Sequence, residues 1–215
     1  MVASRTATGG PARTTRKERA AETEAALKEA ARRVFARKGY LNCKIVDITE
    51  EAGRAAGSFY NHFAGKEQLL EALAKDMLEG AGEGFAEPHA HHDLSDLDVL
   101  RDHVAVFWHT YRTHLPEIVA MTQASMTDAH LAERLRQMRM AHMGPIRDHL
   151  ETMCEDGLTL PGAAPVVASA MVSMLEQFCY VWLVTGGEEL GRPLSDDEAI
   201  DTLTRFMHGG IARSS

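Results

Sequence analysis

Residues 39–67 read GYLNCKIVDITEEAGRAAGSFYNHFAGKE, and this stretch decides the fold of the first part of the chain. Ile45, Ile48 and Ala52 follow helical spacing and predict a short helix. A turn of three residues, Gly53-Arg54-Ala55, separates it from a third helix over about residues 56–61. Two short helices joined by so tight a turn predict a helix-turn-helix.

The preceding segment predicts the first helix of the same unit. Thr15-Arg-Lys-Glu18 is a capping box, and it is followed by apolar residues at helical spacing, among them Leu27, Val34 and Phe35. Gly39 is expected to end this helix. Residues 1–14, rich in Ala, Thr, Gly and Arg, are expected to form a disordered basic arm.

The rest of the chain also has helical periodicity, and no run of alternating apolar residues indicates a strand. Gly65 is expected to cap a fourth helix, and later helices are marked by Ser95-Asp-Leu-Asp98, Pro116 and Ser195-Asp-Asp-Glu198. Pro145 lies inside the seventh helix and should kink it. We therefore predict an all-α chain of about nine helices, with a helix-turn-helix domain at 15–65 and a second helical domain at 66–215.

Charge is divided unevenly between these two parts. Residues 1–66 hold 13 Lys and Arg against 7 Asp and Glu, whereas residues 67–215 hold 10 against 24. We call residues 1–66 the head and residues 67–215 the body. A basic head on an acidic body favours contact with a polyanion through the head alone. A chance excess on one solvated helix is the alternative.

Composition excludes several classes of protein. The three cysteines are far apart, which argues against a disulfide scaffold, and no secretory signal is visible, so we expect a cytoplasmic protein. The most apolar stretch, 166–184, is interrupted by polar residues and predicts a buried helix rather than a membrane span. The chain lacks a phosphate-binding glycine loop, His-Glu-x-x-His and a nucleophile elbow, so we expect no enzyme and no cofactor.

Taken together, these motifs resemble the TetR family of bacterial repressors. The resemblance lies in Gly39-Tyr40, Ile45-Val-Asp-Ile48, Glu51-Ala-Gly53, Gly57-Ser-Phe-Tyr-Asn-His-Phe63 and Lys66-Glu67, with Leu27, Ala30-Ala31 and Phe35 in the first helix. It is strong over about residues 15–73 and only architectural beyond them. It implies a regulator that binds double-stranded DNA.

The resemblance also implies roles for particular residues. Tyr60, His62 and Lys66 would contact phosphates, Gly57 would allow close approach to DNA, and Ala56, Ser58 and Asn61 would lie at or near base-facing positions. Phe59 and Phe63 are expected to lock the core of the head. The sequence departs from the family at Cys43-Lys44, where Asn42 is expected to cap instead and Lys44 to add a phosphate contact, and at Arg54-Ala55-Ala56. Arg54 either faces solvent or reaches DNA.

For the body, the resemblance implies a homodimer that reads a palindromic operator and a cavity for a small-molecule effector. The last two helices would form the dimer, through Val167, Met171, Leu175, Trp182, Leu203, Phe206 and Met207. A small apolar or aromatic ligand would lie among His103, Phe107, Trp108, Tyr111, Met121, Met126, Met143, Met174, Gln177 and Phe178. For any one of these residues, a place in the core is the alternative.

Two further readings stay open on the sequence. His89, His91 and His92 with Asp93 could bind a metal in a metal-responsive regulator of the same fold, although a solvated loop is the simpler reading and we expect no metal site. An enzyme that uses the helical cavity is the remote alternative.

Overall fold

A computed structural model describes residues 15–84, 93–187 and 190–211. This part of the chain contains nine α-helices and no strand, so the predicted all-α fold is confirmed. The predicted basic arm and the three histidines of the loop, His89, His91 and His92, lie outside it. The helices are α1 (Arg16–Lys38), α2 (Ile45–Glu51), α3 (Ala56–Phe59), α4 (Lys66–Gly84), α5 (Leu97–Thr113), α6 (Leu115–Ser125), α7 (Ala129–Glu155), α8 (Ala164–Leu183) and α9 (Asp196–Ile211).

The ends of α1 follow the local signals in the sequence. The Thr15 hydroxyl accepts a hydrogen bond from the Glu18 backbone N–H, and the Glu18 carboxylate accepts one from the Thr15 N–H, which is the predicted capping box. Gly39 ends the helix with φ 72°, a conformation that favours glycine. The prediction for Asn42 is wrong, because its amide donates to the Lys38 carbonyl at the end of α1 and does not cap α2.

The head is built from α1, α2, α3 and the first turns of α4. Its core is a cluster of aliphatic and aromatic side chains, and it extends past the predicted boundary at residue 65 into α4, α6 and α7. The buried members are Leu27, Ala30, Ala31, Val34, Phe35, Tyr40, Cys43, Ile48, Phe59, Phe63, Leu69, Leu70, Leu73, Ala120, Ala124 and Leu131. The head and the body therefore share packing at α6, where Ala120 and Ala124 allow close approach.

A second core joins α5, α7, α8 and α9. Trp108 and Leu100 of α5, Leu150 of α7, Cys179 of α8 and Ile200 of α9 are buried in it. Pro145 lies inside α7, as predicted. Among the described helices, α8 is long and apolar enough to cross a membrane by length and composition, which by itself is weak evidence, since a core helix has the same properties.

The cysteines provide a test of this packing. Burial raises the pKa of Cys43 to about 11 and that of Cys179 to about 12, whereas Cys154 is exposed. Only a thiolate attacks a disulfide reagent, so we expect one thiol per chain to react with Ellman's reagent at pH 8 in the folded protein and three after denaturation. Three rapid equivalents in the folded state would contradict the packing around α2 and α8.

Candidate nucleic-acid interface and ligand cavity

The turn between α2 and α3 has the geometry that the sequence predicts. Gly53 has φ 62°, and its N–H donates to the Glu50 carbonyl at 3.0 Å. The Arg54 N–H donates to the Thr49 carbonyl at 2.9 Å. These bonds close α2 and redirect the chain into α3, so a residue that cannot adopt a left-handed backbone at position 53 would strain the turn.

α3 ends at Phe59, earlier than predicted, and together with the turn that follows it (residues 60–63) it has one buried and one exposed side. Phe59 and Phe63 are buried, as predicted, with their ring centroids 5.6 Å apart, and they pack this segment against the core of the head. On the other side Tyr60 is 60% exposed, and Ala56, Gly57 and Asn61 are exposed as well. Ser58 is partly exposed. A polar, sterically open surface is therefore presented outward.

Gly57 is not required by packing within the protein. A methyl group built at this position would meet no atom within 4 Å, and the residue does not have a positive φ. The surface at Gly57 is therefore open to close approach from outside the chain.

Five of the basic side chains of the head form ion pairs with acids of the head itself or of the body. Arg33 and Arg37 bind Glu51, and Lys38 binds Asp47 at 2.7 Å. Lys28 binds Asp76, and Arg32 binds Glu117. By contrast, Lys44 and Arg54 are exposed and form no ion pair with any residue that the structure describes.

Two of the predicted DNA contacts have other partners. The Lys66 ammonium donates to the carbonyls of Tyr40 at 2.8 Å and Cys43 at 3.0 Å, and it lies 4.1 Å from the centre of the Tyr40 ring. The His62 side chain is largely buried, with Nδ1 3.9 Å from Glu24 Oε2. The Tyr40 carbonyl also accepts a hydrogen bond from the Cys43 N–H, so the Lys66 ammonium adds a second donor there and bridges two carbonyls of the α1–α2 connection. The predicted residues Lys44, Arg54, Ala56, Gly57, Ser58, Tyr60 and Asn61 remain on the open surface.

Sequence reasoning missed the polar link between head and body. Arg32 Nε of α1 donates to Glu117 Oε1 of α6 at 2.6 Å, and Glu117 is only 1% exposed. Burial alone would raise the pKa of Glu117, but hydrogen bonds from His114 and Arg32 outweigh it, and the pKa lies below its ordinary value. A second link joins Gln123 Oε1 of α6 to the Tyr40 N–H at 2.8 Å. No periodic signal in a sequence pairs residues this far apart.

The body contains a cavity of about 1140 Å³ lined by residues of α4 to α9. Most of its wall is aliphatic, aromatic or methionine side chain. Seven of the predicted ligand residues line it, namely His103, Phe107, Tyr111, Met121, Met126, Met143 and Gln177. α6 has the cavity on one face, through Ile118 and Met121, and the head on the other, through Ala120 and Ala124.

Three predicted ligand residues do not line the cavity. Trp108 is buried, and its Nε1 donates to Asp196 Oδ1 of α9 at 2.9 Å. Phe178 lies with its ring centroid 6.1 Å from that of Trp108, and it packs with Met174 against the body core. The prediction was wrong for these residues because periodicity identifies a buried face but not which neighbour it meets. It also missed Arg139, His149 and Glu176, which do line the cavity.

The predicted dimer residues divide into two sets. Val167, Met171, Leu175, Leu203 and Met207 are buried within one chain, and three of them also line the cavity. They face α5 and α7 in the body core, so their assignment to an interface with another chain is corrected here. Phe206 is 72% exposed and Trp182 is partly exposed, and Val166 at the start of α8 is 65% exposed as well.

The described residues contain no group of three or more His, Cys, Asp or Glu arranged to hold a metal ion. Asp93 is within the described part, but its carboxylate is engaged by the Ser95 hydroxyl and N–H. The hydrogen bonds from Ser95 lower the pKa of this carboxyl. The histidine-loop hypothesis thus receives no support from the residues around it.

Comparison with known proteins agrees with this architecture. Residues 27–73 match the model of the bacterial regulatory proteins of the tetR family. Over 63 residues the chain is 41% identical to the HTH-type transcriptional regulator TtgR of Pseudomonas putida, a match that covers 29% of this chain and 30% of the relative. It is 30% identical over 133 residues to the HTH-type transcriptional repressor AcnR of Corynebacterium diphtheriae, covering 56% of this chain and 66% of the relative.

Similarity of fold extends over nearly the whole chain. The fatty acid degradation regulator FadR from Bacillus halodurans superposes with a TM-score of 0.74 at 14% identity, over 97% of this chain and 100% of that one. At this identity the likeness concerns the fold alone. The matched motif, the curated relatives and the shared fold agree, and the chain belongs to the TetR family of bacterial regulatory proteins.

Proposed function

We propose that this chain is a cytoplasmic transcriptional repressor that binds a palindromic operator as a homodimer and is released when a small apolar or aromatic ligand enters its cavity. The observation that carries the proposal is the exposed side of α3, where Gly57, Tyr60 and Asn61 are held outward by the buried Phe59 and Phe63. The relatives it matches are transcriptional regulators, and AcnR is named a repressor.

The exposed residues have the chemistry that a DNA groove requires. Ser58 and Asn61 can donate to and accept from base edges, while Ala56 and Gly57 leave room for the helix to approach. Lys44 and Arg54 precede α2 and α3, are exposed and form no ion pair with a described residue, so they are suited to phosphates.

The proposed dimer is supported by exposed apolar residues of α8 and α9. Val166 and Ala170 lie one turn apart on α8, and Phe206 projects from α9 next to the small residues Gly209 and Gly210. Burying such side chains against a second copy would remove their apolar surface from water, which favours association. Pairing these helices with those of a second copy gives a two-fold axis, as needed to read two half-sites about 34–36 Å apart.

Release by a ligand is supported by the position of α6 and α4 between cavity and head. Met121 lines the cavity, and Glu117, four residues earlier on α6, binds Arg32 of α1. A ligand that moves α6 or α4 would therefore move the heads. Release requires that the ligand bind more tightly to the arrangement that does not fit DNA.

The contribution of Lys44 is testable through salt. Each substitution removes one cation from both heads of a dimer, so Lys44→Ala should lower the magnitude of the slope of log K against log salt by about 1.8. Lys75→Ala is the matched control, because Lys75 is exposed on α4 and pairs with Glu79. Gel shifts at four salt concentrations measure both. An equal slope for Lys44→Ala and the wild type would remove Lys44 from the interface.

The proposal as a whole is tested with the DNA that flanks the chain's own gene. We expect a sequence-selective, salt-sensitive complex containing two chains per palindrome, and its dissociation by a ligand that also binds the free protein. Absence of a selective complex would refute the DNA-binding proposal. A selective complex that no cavity ligand dissolves would refute release alone.

A further inference from the structure

The cavity wall contains an ion pair between two helices. Arg139 of α7 donates from Nε to Glu176 Oε1 of α8 at 2.9 Å and from Nη2 to Glu176 Oε2 at 2.8 Å. Nη2 also lies 3.4 Å from the Ser173 hydroxyl. Both charged side chains line the cavity and are partly exposed, so they lie where the cavity meets solvent.

A third charged side chain in the described cavity wall, that of Arg136, also has an acidic partner. Arg136 lines the cavity, and its guanidinium makes two hydrogen bonds of 2.7 Å to Glu133. His149 is pushed toward its neutral form, since burial and the neighbouring His103 lower its pKa. Within the part of the wall that the structure describes, every Arg or Glu already has an oppositely charged partner.

This arrangement discriminates between head groups. A charge that enters an apolar cavity is costly unless it meets an opposite charge. A carboxylate that approaches Arg139 also meets Glu176, and an ammonium that approaches Glu176 also meets Arg139. A hydroxyl both donates and accepts, so it can bond to the carboxylate and to the guanidinium together without separating them.

We infer that the cavity takes an extended, uncharged amphiphile with a hydrogen-bonding head group, and that the Arg139–Glu176 pair sets this preference. The volume of about 1140 Å³ exceeds that of an ordinary small-molecule pocket, which suits a long apolar body. The inference deepens the ligand site of the proposed function and rests on that site being the place where the effector binds.

Isothermal titration calorimetry of the free protein, without DNA, tests the preference. Decanol, decanoate and decylammonium share one alkyl chain and differ in the charge of the head group. The two ions are titrated below their micelle concentrations and decanol below its solubility limit. We expect the wild type to bind decanol at least about tenfold more tightly than either ion, because each ion meets a like charge.

Two single variants should change the preference in opposite directions. Glu176→Gln leaves Arg139 without its acid and should raise the affinity for decanoate relative to decanol at least about tenfold. Arg139→Gln leaves Glu176 and should do the same for decylammonium. The double variant with Arg139→Glu and Glu176→Arg should restore the preference for decanol. Because both side chains are partly exposed, we expect all of these proteins to fold, as a thermal melt will show.

Glu198→Gln is the matched control. It breaks the pair between Arg192 and Glu198, which is also exposed and does not line the cavity, and it should leave the order of the three probes unchanged. Three results would each overturn the inference. The first is a wild type that binds decanoate or decylammonium as tightly as decanol, and the second is a wild type that does not bind decanol. The third is a Glu176→Gln variant in which the relative affinities of the three probes are unchanged. If decanol binds with the expected preference but does not release operator DNA, the result refutes release of DNA by this ligand. It leaves intact the inference that the Arg139–Glu176 pair selects uncharged head groups.

Discussion

Phe206→Glu is expected to convert the protein to a monomer and to lower its affinity for operator DNA by about 100-fold or more, because a monomer loses the second half-site. Phe206 is 72% exposed on α9, so its replacement leaves the core of the chain intact. A carboxylate placed against its own copy across a two-fold axis would be desolvated next to a like charge. Sedimentation measures the assembly, and a gel shift measures the affinity.

Leu97→Glu provides the control for the dimer experiment. Leu97 is also a large, exposed apolar residue, but it lies at the start of α5 and is not part of α8 or α9. This variant should remain dimeric and bind DNA as the wild type does. A dimer of Phe206→Glu with wild-type affinity would show that the exposed face of α9 is not the contact between chains.

Arg32→Ala is expected to destabilise the fold by about 3 kcal/mol at pH 7, since it leaves the carboxylate of Glu117 buried without the guanidinium that binds it at 2.6 Å. Glu117 is fully enclosed, and its Oε2 atom already has no hydrogen-bond partner among the described residues. Arg33→Ala, one residue further along α1, breaks pairs with the more exposed Glu29 and Glu51 and should cost less than about 1 kcal/mol. Urea unfolding measures both.

The same variant should show a characteristic dependence on pH. In the wild type the pKa of Glu117 is lower folded than unfolded, so its contribution to stability is present above the unfolded pKa and is lost as the pH falls through the folded one. Without Arg32 the buried carboxyl can take up a proton, and the deficit of Arg32→Ala should shrink between pH 7 and pH 4. A deficit that is constant over this range, or equal to that of Arg33→Ala, would count against the link.

Replacing both Arg32 and Glu117 tests whether their ion pair adds to the free energy of unfolding or only links α1 to α6. The double variant with Arg32→Met and Glu117→Met should recover most of the lost stability, because apolar side chains of similar size can replace a buried ion pair. Any remaining effect on release of DNA by ligand would then be assigned to the loss of the polar link between α1 and α6 rather than to stability.

The sequence by itself determined the features that depend on neighbouring residues. The capping box at Thr15 and Glu18, the left-handed Gly53 and the buried Phe59 and Phe63 are set by hydrogen bonds and periodicity within a few residues. These local features are enough to define the helix-turn-helix and the all-α fold. They also place Gly57, Tyr60 and Asn61 on the exposed side of α3, because the two phenylalanines define the buried side.

The tertiary structure alone decided which charges are available and which apolar residues meet which neighbours. Arg33 and Arg32 of the head are engaged by Glu51 and Glu117, whereas Lys44 and Arg54 form no ion pair with a described residue. Trp108 binds Asp196 instead of lining the cavity. In α8 and α9 the same periodic pattern contains both the body core and the exposed Phe206. The physical reason is that burying an apolar side chain or pairing a charged one is favourable with many possible neighbours. Which neighbour a side chain meets depends on the packing of helices that are distant in the chain.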